Sequence, residues 1–231
     1  MCMNLLIVNG YDQKGWSKLA KYKIQPICEF YRDQLKKINP KIKSTFIYPS
    51  MDLKKTYDDS FFRSFDGIVW TGSSLNMYDN TKEIKNQIAL MRRISNLPIK
   101  IFGSCWGMQL YTVCNGGDVK KNKKGREIGI SFNISLNKKG RDHLMYKKKP
   151  KLFDAFASHL DHVTKLPEKS FALADNHYSI QSLSSRNFWG TQYHPEFNFK
   201  YTGQILNARK KLLLDENLFS KNQIEGLISS Y

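Results

Sequence analysis

The sequence contains no apolar run that approaches the ~18–20 consecutive residues needed to cross a bilayer. No basic segment precedes the apolar stretch at residues 5–8, so this stretch is predicted to be a first β-strand and not a signal peptide. Cysteine is also sparse: Cys2, Cys28, Cys105 and Cys114 show no paired spacing, and a disulfide framework would be unusual in a chain of this size. We therefore expect a cytoplasmic protein without a membrane segment.

Acidic residues are few, since 20 Asp and Glu stand against 37 Lys and Arg, for a formal net charge of +17. Such an excess is compatible with a polyanionic partner such as nucleic acid or a phosphorylated metabolite. However, the lysine runs at residues 120–124 and 147–149 are loop-like and contain no aromatic residues. Arginine, which makes bidentate phosphate and base contacts, is scarce. We expect solvated surface loops and no nucleic-acid partner.

Histidine is rare as well, with five in the chain. His159 and His162 have a three-residue spacing that can resemble a metal site, but no cysteine or further histidine accompanies them at metal-binding spacing. We therefore expect no metal and no other cofactor. These two histidines are predicted either to frame the acceptor side of a pocket or to be structural, and Cys114 is predicted to be a packed, unreactive thiol.

The most informative segment is Gly103–Gly107, with the sequence GSCWG, which follows the apolar run Ile99–Phe102 and precedes a predicted helix. The pattern strand, Gly-x-Cys-x-Gly, helix predicts a sharp turn that holds Cys105 in strained backbone geometry, while the glycines permit close approach. The sulfur then lies at a helix N-terminus, where free N–H groups and the helix dipole favour a thiolate. The pattern predicts a cysteine nucleophile, with a buried structural cysteine as the alternative.

A second segment supplies partners for such a nucleophile. Phe188–Tyr193 reads as a strand, His194 follows it, Pro195 ends the sheet ladder, and Glu196 comes two residues after the histidine. A nucleophile needs a base within hydrogen-bond reach, and the base needs an orienting group. We therefore predict that Cys105 is the nucleophile, that His194 is the general base and later the general acid, and that Glu196 fixes the imidazole tautomer.

Together these segments resemble the class I (triad) glutamine amidotransferases, in which a Gly-x-Cys-x-Gly-x-Gln elbow is followed much later by His-Pro-Glu. Three further matching stretches are Val69–Ser74 with Tyr78–Asp79, Gly116–Val119 with Gly125–Gly129, and Ser158–Val163 with Leu166–Pro167. The last stretch is similar to stand-alone members that resemble the amidotransferase part of GMP synthetase. The resemblance covers roughly residues 4–200.

The resemblance also implies the groups that bind the substrate. The backbone N–H groups of Trp106 and of the Gly72-Ser73 loop would form the oxyanion hole. Gln109 would contact the α-amino and carboxylate ends of the substrate, and its alternative is an ordinary polar residue on the second helical turn.

The expected fold is a single α/β domain over residues 1–231, with a mixed, mostly parallel sheet, helices on both faces and a cysteine nucleophile elbow. The resemblance implies the flavodoxin-like fold of the class I glutamine amidotransferases. Strands are predicted at residues 4–8, 43–48, 67–70, 99–102, 128–136, 171–175, 178–183 and 188–193. Helices are predicted at residues 24–38, 81–95, from about 108, 201–214 and 221–228, with a polar loop at 9–23 and a short turn or helix at 60–65. The apolar stripe of the helix at 24–38 is predicted to be Ile27, Phe30, Tyr31, Leu35 and Ile38.

The resemblance implies hydrolysis of the amide bond of glutamine or of a γ-glutamyl small molecule, through a glutamyl thioester. Because the sequence includes no synthase domain, we expect a free-standing γ-glutamyl hydrolase, with the loop at 9–23 and the segment 159–162 shaping an acceptor pocket. One alternative is a glutaminase subunit that delivers ammonia to a separate synthase partner. An alternative of another class is a non-catalytic regulatory or nucleic-acid-binding protein.

Overall fold

A computed structural model describes residues 2–231. Met1, which the domain prediction includes, lies outside the described residues. The strands are β1 (Met3–Val8), β2 (Ile42–Ile47), β3 (Gly67–Trp70), β4 (Ile101–Ser104), β5 (Asp118–Lys121), β6 (Glu127–Leu136), β7 (Leu152–His159), β8 (Asp161–Lys165), β9 (Phe171–Asp175), β10 (Ile180–Ser184) and β11 (Phe188–Thr191). The helices are α1 (Gln13–Lys21), α2 (Ile27–Ile38), α3 (Asp59–Arg63), α4 (Lys82–Ser95), α5 (Trp106–Cys114), α6 (Lys138–Asp142), α7 (Phe199–Asp215) and α8 (Lys221–Ser229), with a 3₁₀ turn at Leu144–Tyr146.

The main sheet has nine strands in the order β2-β1-β3-β4-β11-β10-β9-β6-β7, and β5 pairs with β8 in a separate ribbon. The first five strands in this order run parallel to one another, and the remaining pairings are antiparallel. The expected mixed sheet in a single α/β domain is therefore confirmed. No helix within residues 2–231 is long and apolar enough to span a membrane.

Alternating side chains of the parallel strands fill a separate core on each face of the sheet. In β3, Ile68 and Trp70 point to the face covered by α3, α4 and α5, which we call the α5 face. Val69 between them points to the opposite face, covered by α1, α2 and α7, which we call the α7 face. Helices on both faces explain why these short strands are buried throughout.

Several helices begin at a residue whose side-chain oxygen accepts a hydrogen bond from a backbone N–H of the first turn, which satisfies one otherwise free donor. These capping residues are Asp12, Asp58, Thr81, Asn137, Asn198 and Ser220. In α8 the cap is reciprocal, because the Gln223 side chain also accepts from the N–H of Ser220. These local signals fix where the helices start.

The structure corrects the sequence prediction for the segment before α2. Residues 13–21, predicted as part of a polar loop, form α1. Position 15 of this helix is a glycine because a neighbouring residue leaves no room for a side chain: a Cβ there would lie 2.5 Å from the Ser74 hydroxyl oxygen. Helix α2 begins at Ile27, after Pro26, and not at residue 24. Ile38, predicted as part of its apolar stripe, is 83% exposed because it lies at the last turn, beyond the edge of the core.

Three strands were not predicted at all, namely β5, β7 and β8. Strand β7 pairs antiparallel with β6, whose register shifts between Ser131 and Ile134. In β7 itself the last three residues are all buried, so no exposed–buried alternation runs through the strand to mark it in sequence. The strand predicted at residues 188–193 ends at Thr191, so His194 lies in the loop that follows β11.

Candidate active site

The ends of three neighbouring parallel strands bring the predicted site residues together. Strands β3, β4 and β11 are adjacent in the sheet, and their carboxyl ends meet at one edge, where ligand sites of open α/β sheets form. Gly72 and Ser73 follow β3, Cys105 follows β4, and His194 and Glu196 follow β11. Segments about 90 residues apart in sequence are therefore neighbours in space.

The turn at Cys105 has the strained geometry that the sequence predicts. Its φ of 49° and ψ of −98° fall in a region that non-glycine residues rarely adopt, at a cost of about 1–3 kcal/mol. The flanking glycines are required by packing: a Cβ on Gly103 would lie 2.6 Å from the carbonyl carbon of Gly107. A Cβ on Gly107 would lie 2.7 Å from the Trp70 carbonyl oxygen. The strand and the helix therefore approach closely around Cys105, which occupies the N-cap position of α5 without a side-chain capping hydrogen bond.

The imidazole of His194 is held on two sides. Its Nδ1 donates to Oε1 of Glu196 at 2.8 Å, and the ring stacks on Phe197 with centroids 4.0 Å apart and planes at 9°. The backbone N–H of His194 donates to the carbonyl of Phe156 in β7 at 2.8 Å. This orientation leaves Nε2 as the ring nitrogen available to Cys105. Sequence reasoning did not identify Phe197, although it follows the glutamate directly.

The electrostatics of the pair favour an imidazolium. Burial lowers the pKa of His194, but the charge of Glu196 and the hydrogen bonds with Cys105 and Glu196 outweigh it, and the pKa rises from 6.5 to about 9. Glu196 is itself buried, and its Oε1 also accepts from the Ser104 hydroxyl at 3.2 Å. The arrangement places a protonated base beside the sulfur at neutral pH.

The loop after β3 lies against the same imidazole. A Cβ on Gly72 would lie 2.7 Å from Cε1 of His194, so a side chain at this position would displace the ring or the loop. The Ser73 hydroxyl accepts from the N–H of Leu75 at 3.1 Å and so folds the loop back on itself. The N–H of Trp106, the first residue of α5, has no intrahelical acceptor because of its position.

Gln87 on α4 is a buried polar hub that sequence reasoning missed. Its Oε1 accepts from the indole N–H groups of Trp70 at 3.0 Å and Trp106 at 2.8 Å. Its Nε2 donates to the Gly10 carbonyl at 2.9 Å and to the Ser50 hydroxyl at 2.6 Å. Gln87 therefore connects the residue that follows Cys105 to the ends of β1 and β3. No sequence signal marks it, since a glutamine on a helix is usually solvated.

Gln109 lies one helical turn after Cys105 and is buried. Its Nε2 donates to the Asp161 carbonyl at 3.0 Å and to Oε1 of Gln192 at 3.2 Å. The side chain is therefore oriented by the β7–β8 turn and by the segment before His194. Its expected contact with the substrate stays a prediction.

The two closely spaced histidines lie on different strands, His159 at the end of β7 and His162 in β8. His159 is buried, with Nε2 donating to Oε2 of Glu127 at 2.9 Å and Nδ1 lying 3.1 Å from the Asp161 carbonyl oxygen. Burial raises the pKa of Glu127, but His159 and other donors outweigh it and lower the pKa. Those other donors are Ser131, Asn176 and Gln181. Of the two predicted roles, this network favours the structural one for His159. No group of three or more potential ligands able to hold a metal occurs within residues 2–231.

Two other cysteines are packed in the interior, Cys28, which is buried, and Cys114, which is half-buried. The Cys114 sulfur lies 3.5 Å from the Ile88 carbonyl oxygen, and burial raises its pKa to about 12. Burial likewise raises the pKa of Cys28. Both thiols are therefore held protonated at neutral pH, as expected for packed cysteines.

Comparison with known proteins defines the class. A model of the family "Glutamine amidotransferase class-I" matches residues 29–211, which is most of this α/β chain, and the members of this family are amidohydrolases. The chain belongs to this family, and its resemblance to the family is confirmed. A glutamine amidotransferase from Thermotoga maritima has the same fold, with a TM-score of 0.72, 17% identity, and 98% of this chain and 90% of that one covered.

Two relatives differ in how much of their length this chain matches. A γ-glutamyl-L-1-hydroxyisopropylamide hydrolase from a Pseudomonas species is 27% identical over 96% of this chain and 78% of its own. A GMP synthase from Borreliella burgdorferi is 32% identical, over 62% of this chain. The chain spans only about a quarter of that synthase, since 27% of its length is covered.

Proposed function

We propose that this protein hydrolyses the γ-amide bond of a γ-glutamyl compound as a free-standing hydrolase, with Cys105 as the nucleophile. The observation that carries the proposal is the junction of a cysteine on a strained elbow with a histidine whose Nδ1 is fixed by a buried glutamate. These are the parts that nucleophilic acyl transfer requires: a nucleophile, a base beside it, and a group that orients the base.

The reaction proceeds in two halves. The sulfur of Cys105 attacks the γ-carbonyl carbon, a C–S bond forms, and the carbonyl electron pair moves to the oxygen. Backbone N–H groups of Trp106 and of the Gly72–Ser73 loop stabilise this oxyanion. The oxyanion then collapses, the C–N bond breaks, and His194 gives its proton to the departing amine, which leaves a γ-glutamyl thioester.

Water completes the cycle. His194, now neutral, takes a proton from the water, whose oxygen attacks the thioester carbon. The C–S bond breaks, and the products are glutamate and the regenerated Cys105 thiolate beside the protonated His194. The balance is one amide and one water consumed for one carboxylic acid and one amine released.

Substrate recognition is assigned by position. In this proposal the glutamyl end of the substrate lies toward Gln109, whose amide is oriented by the β7–β8 turn. The relative from Pseudomonas, matched over most of both chains, is named as a γ-glutamyl amide hydrolase. A further relative, from Arabidopsis thaliana, is named as a γ-glutamyl peptidase. These names support a γ-glutamyl amide larger than glutamine.

The cysteines support a reducing location. All four are free within the described residues, and a reactive thiol at Cys105 is preserved best where disulfides do not form. We therefore retain the cytoplasm as the proposed location.

A second candidate is a glutaminase subunit that delivers ammonia to a separate synthase. The observation in its favour is the similarity to GMP synthase. In this case free glutamine would be the preferred substrate, and the synthase partner would raise its hydrolysis.

The two candidates are separated by measuring kcat/KM of the isolated protein for glutamine and for a panel of larger γ-glutamyl amides at fixed salt, with Cys105→Ala as the blank. The hydrolase predicts that a larger amide is the better substrate without any partner. If glutamine is the best substrate and a co-purifying synthase accelerates it strongly, the free-standing hydrolase is wrong.

A further inference from the structure

Arg209, on α7, is a half-buried cation without an acidic partner. Its Nη1 donates to the Ser158 hydroxyl at 2.8 Å and lies 3.4 Å from the Ser158 carbonyl oxygen. None of the ion pairs within residues 2–231 includes it. The acidic group whose pKa it influences is Glu216, which already makes two hydrogen bonds to Arg126, at 2.8 and 2.7 Å. The guanidinium therefore keeps donors that no described carboxylate engages.

Tyr11, which is influenced by the charge of Arg209, lies in a segment that packs against the proposed reactive centre. Tyr11 is buried, and its neighbour Gly10 packs so closely that a Cβ there would lie 2.7 Å from the Gly72 carbonyl and 2.9 Å from Cδ1 of Trp106. Burial raises the pKa of Tyr11, the adjacent Arg209 lowers it, and the charges of Cys105 and Glu196 raise it. Tyr11 is therefore near both charges, and Arg209 is joined to the site through β7, since it donates to Ser158, two residues along the strand from Phe156, whose carbonyl accepts from the N–H of His194 at 2.8 Å.

A second cation strengthens the positive field on this side of the site. The pKa of Lys18 on α1 is lowered, first by partial burial and then by the positive charges of Arg209 and Lys14. Two cations that are close enough to repel each other favour an anionic ligand beside them.

The chemistry of the proposed reaction decides which part of the substrate reaches Arg209. The leaving amine must contact His194, which gives it a proton. The imidazole stacks on Phe197, which packs against Tyr201 of α7 with centroids 5.0 Å apart, so His194 faces the α7 face. Gln109 belongs to α5, on the other face of the sheet. The leaving group therefore lies on the side of Arg209, and the glutamyl group lies away from it.

We propose that Arg209, together with the Tyr11 hydroxyl, binds a carboxylate on the leaving group, so that the preferred substrates are γ-glutamyl derivatives of amino acids or peptides. This inference rests on the proposed hydrolase function and names its substrate class. A planar guanidinium matches a carboxylate with two parallel hydrogen bonds. An α-amino acid carries its carboxylate only two bonds from the departing nitrogen, so a cation on the leaving-group side of the site is placed to meet it.

The test compares two substrates that differ in one charge, γ-glutamyl-alanine and γ-glutamyl-alaninamide. We expect the wild-type kcat/KM for the carboxylate to exceed that for the amide by about 10- to 100-fold, the range for a charge-assisted hydrogen bond in a partly buried site. Arg209→Gln is expected to remove most of this ratio, mainly by raising KM for the carboxylate. Arg209→Lys and Tyr11→Phe are expected to retain part of it, and Lys211→Gln, an exposed change on the same helix, to preserve it.

The outcomes distinguish a failure of the role assigned to Arg209 from a failure of the proposed hydrolase function. Equal kcat/KM for both substrates in the wild type, or an equal loss for both in Arg209→Gln, overturns the assignment of Arg209 and leaves the hydrolase intact. Absence of hydrolysis of every γ-glutamyl compound overturns the proposed function and the inference with it. A preference for the carboxylate that Arg209→Gln abolishes and Lys211→Gln keeps supports both.

Discussion

The Gln87 hub makes a stability prediction whose size follows from its hydrogen bonds. Substitution of Gln87 by Met keeps a similar volume but removes all four side-chain hydrogen bonds. The Ser50 hydroxyl can still donate to the Glu83 carbonyl. The indole N–H groups of Trp70 and Trp106 and the Gly10 carbonyl are left without these partners.

Each buried polar group left unsatisfied costs about 1–3 kcal/mol, so the three together cost about 3–9 kcal/mol. Because domains of this kind are stable by only about 5–15 kcal/mol, Gln87→Met is expected to lose at least ~3 kcal/mol of the free energy of unfolding. Urea denaturation followed by circular dichroism measures this loss.

The control is Lys85→Met, an exposed change on the same helix, which is expected to stay within ~0.5 kcal/mol of the wild type. A Gln87→Met protein whose free energy of unfolding lies within ~1 kcal/mol of the wild type would refute the reasoning. That result would mean that the indole N–H groups find other acceptors, and the described hydrogen bonds would not account for the position of Trp106.

Three further predictions concern the proposed reaction. A glutamine-like electrophile should label Cys105 once and leave Cys114 unlabelled, as checked by peptide mass mapping; even labelling of both would contradict the site. Because the pKa of His194 is raised to about 9, the activity should fall as the pH rises through about 9. The contribution of protonated His194 to the free energy of unfolding is complete below pH 6.5 and should be lost over the same rise. Glu196→Gln removes the negative charge that raises the pKa of His194, while burial still lowers it, so the alkaline fall of the activity should move to lower pH. An unchanged pH–activity profile would contradict the pairing of His194 with Glu196. Gly72→Ala should lower kcat at least tenfold, since its Cβ would meet the His194 ring, whereas unchanged kcat would place the ring elsewhere.

The parts of the site that were predictable from sequence are those encoded by local backbone geometry. The two glycines within the five-residue segment around Cys105 predict a close backbone approach. In the structure, neighbouring residues occupy the space that a side chain would need at each of these glycines. Gln87 was not predictable, because its partners come from four other segments of the chain and the sequence of α4 contains no signal of them. Helix α1 was missed for a similar reason. Gly15 lowers the helix propensity of the segment, and the reason for a glycine there is a non-local contact, the close approach of Ser74.

The position of β11 has a consequence for how the protein is made. It is the last strand in the chain, yet it lies in the middle of the sheet, between β4 and β10. Until β11 emerges from the ribosome, the strand that carries Cys105 has an open edge of unpaired backbone groups, which is a template for mispairing. Insertion of β11 covers this edge and delivers His194 to the thiol in a single event. A nascent or truncated chain that ends before residue 188 is therefore expected to be inactive and also prone to aggregate, so that acquisition of the base and protection of the sheet cannot be separated.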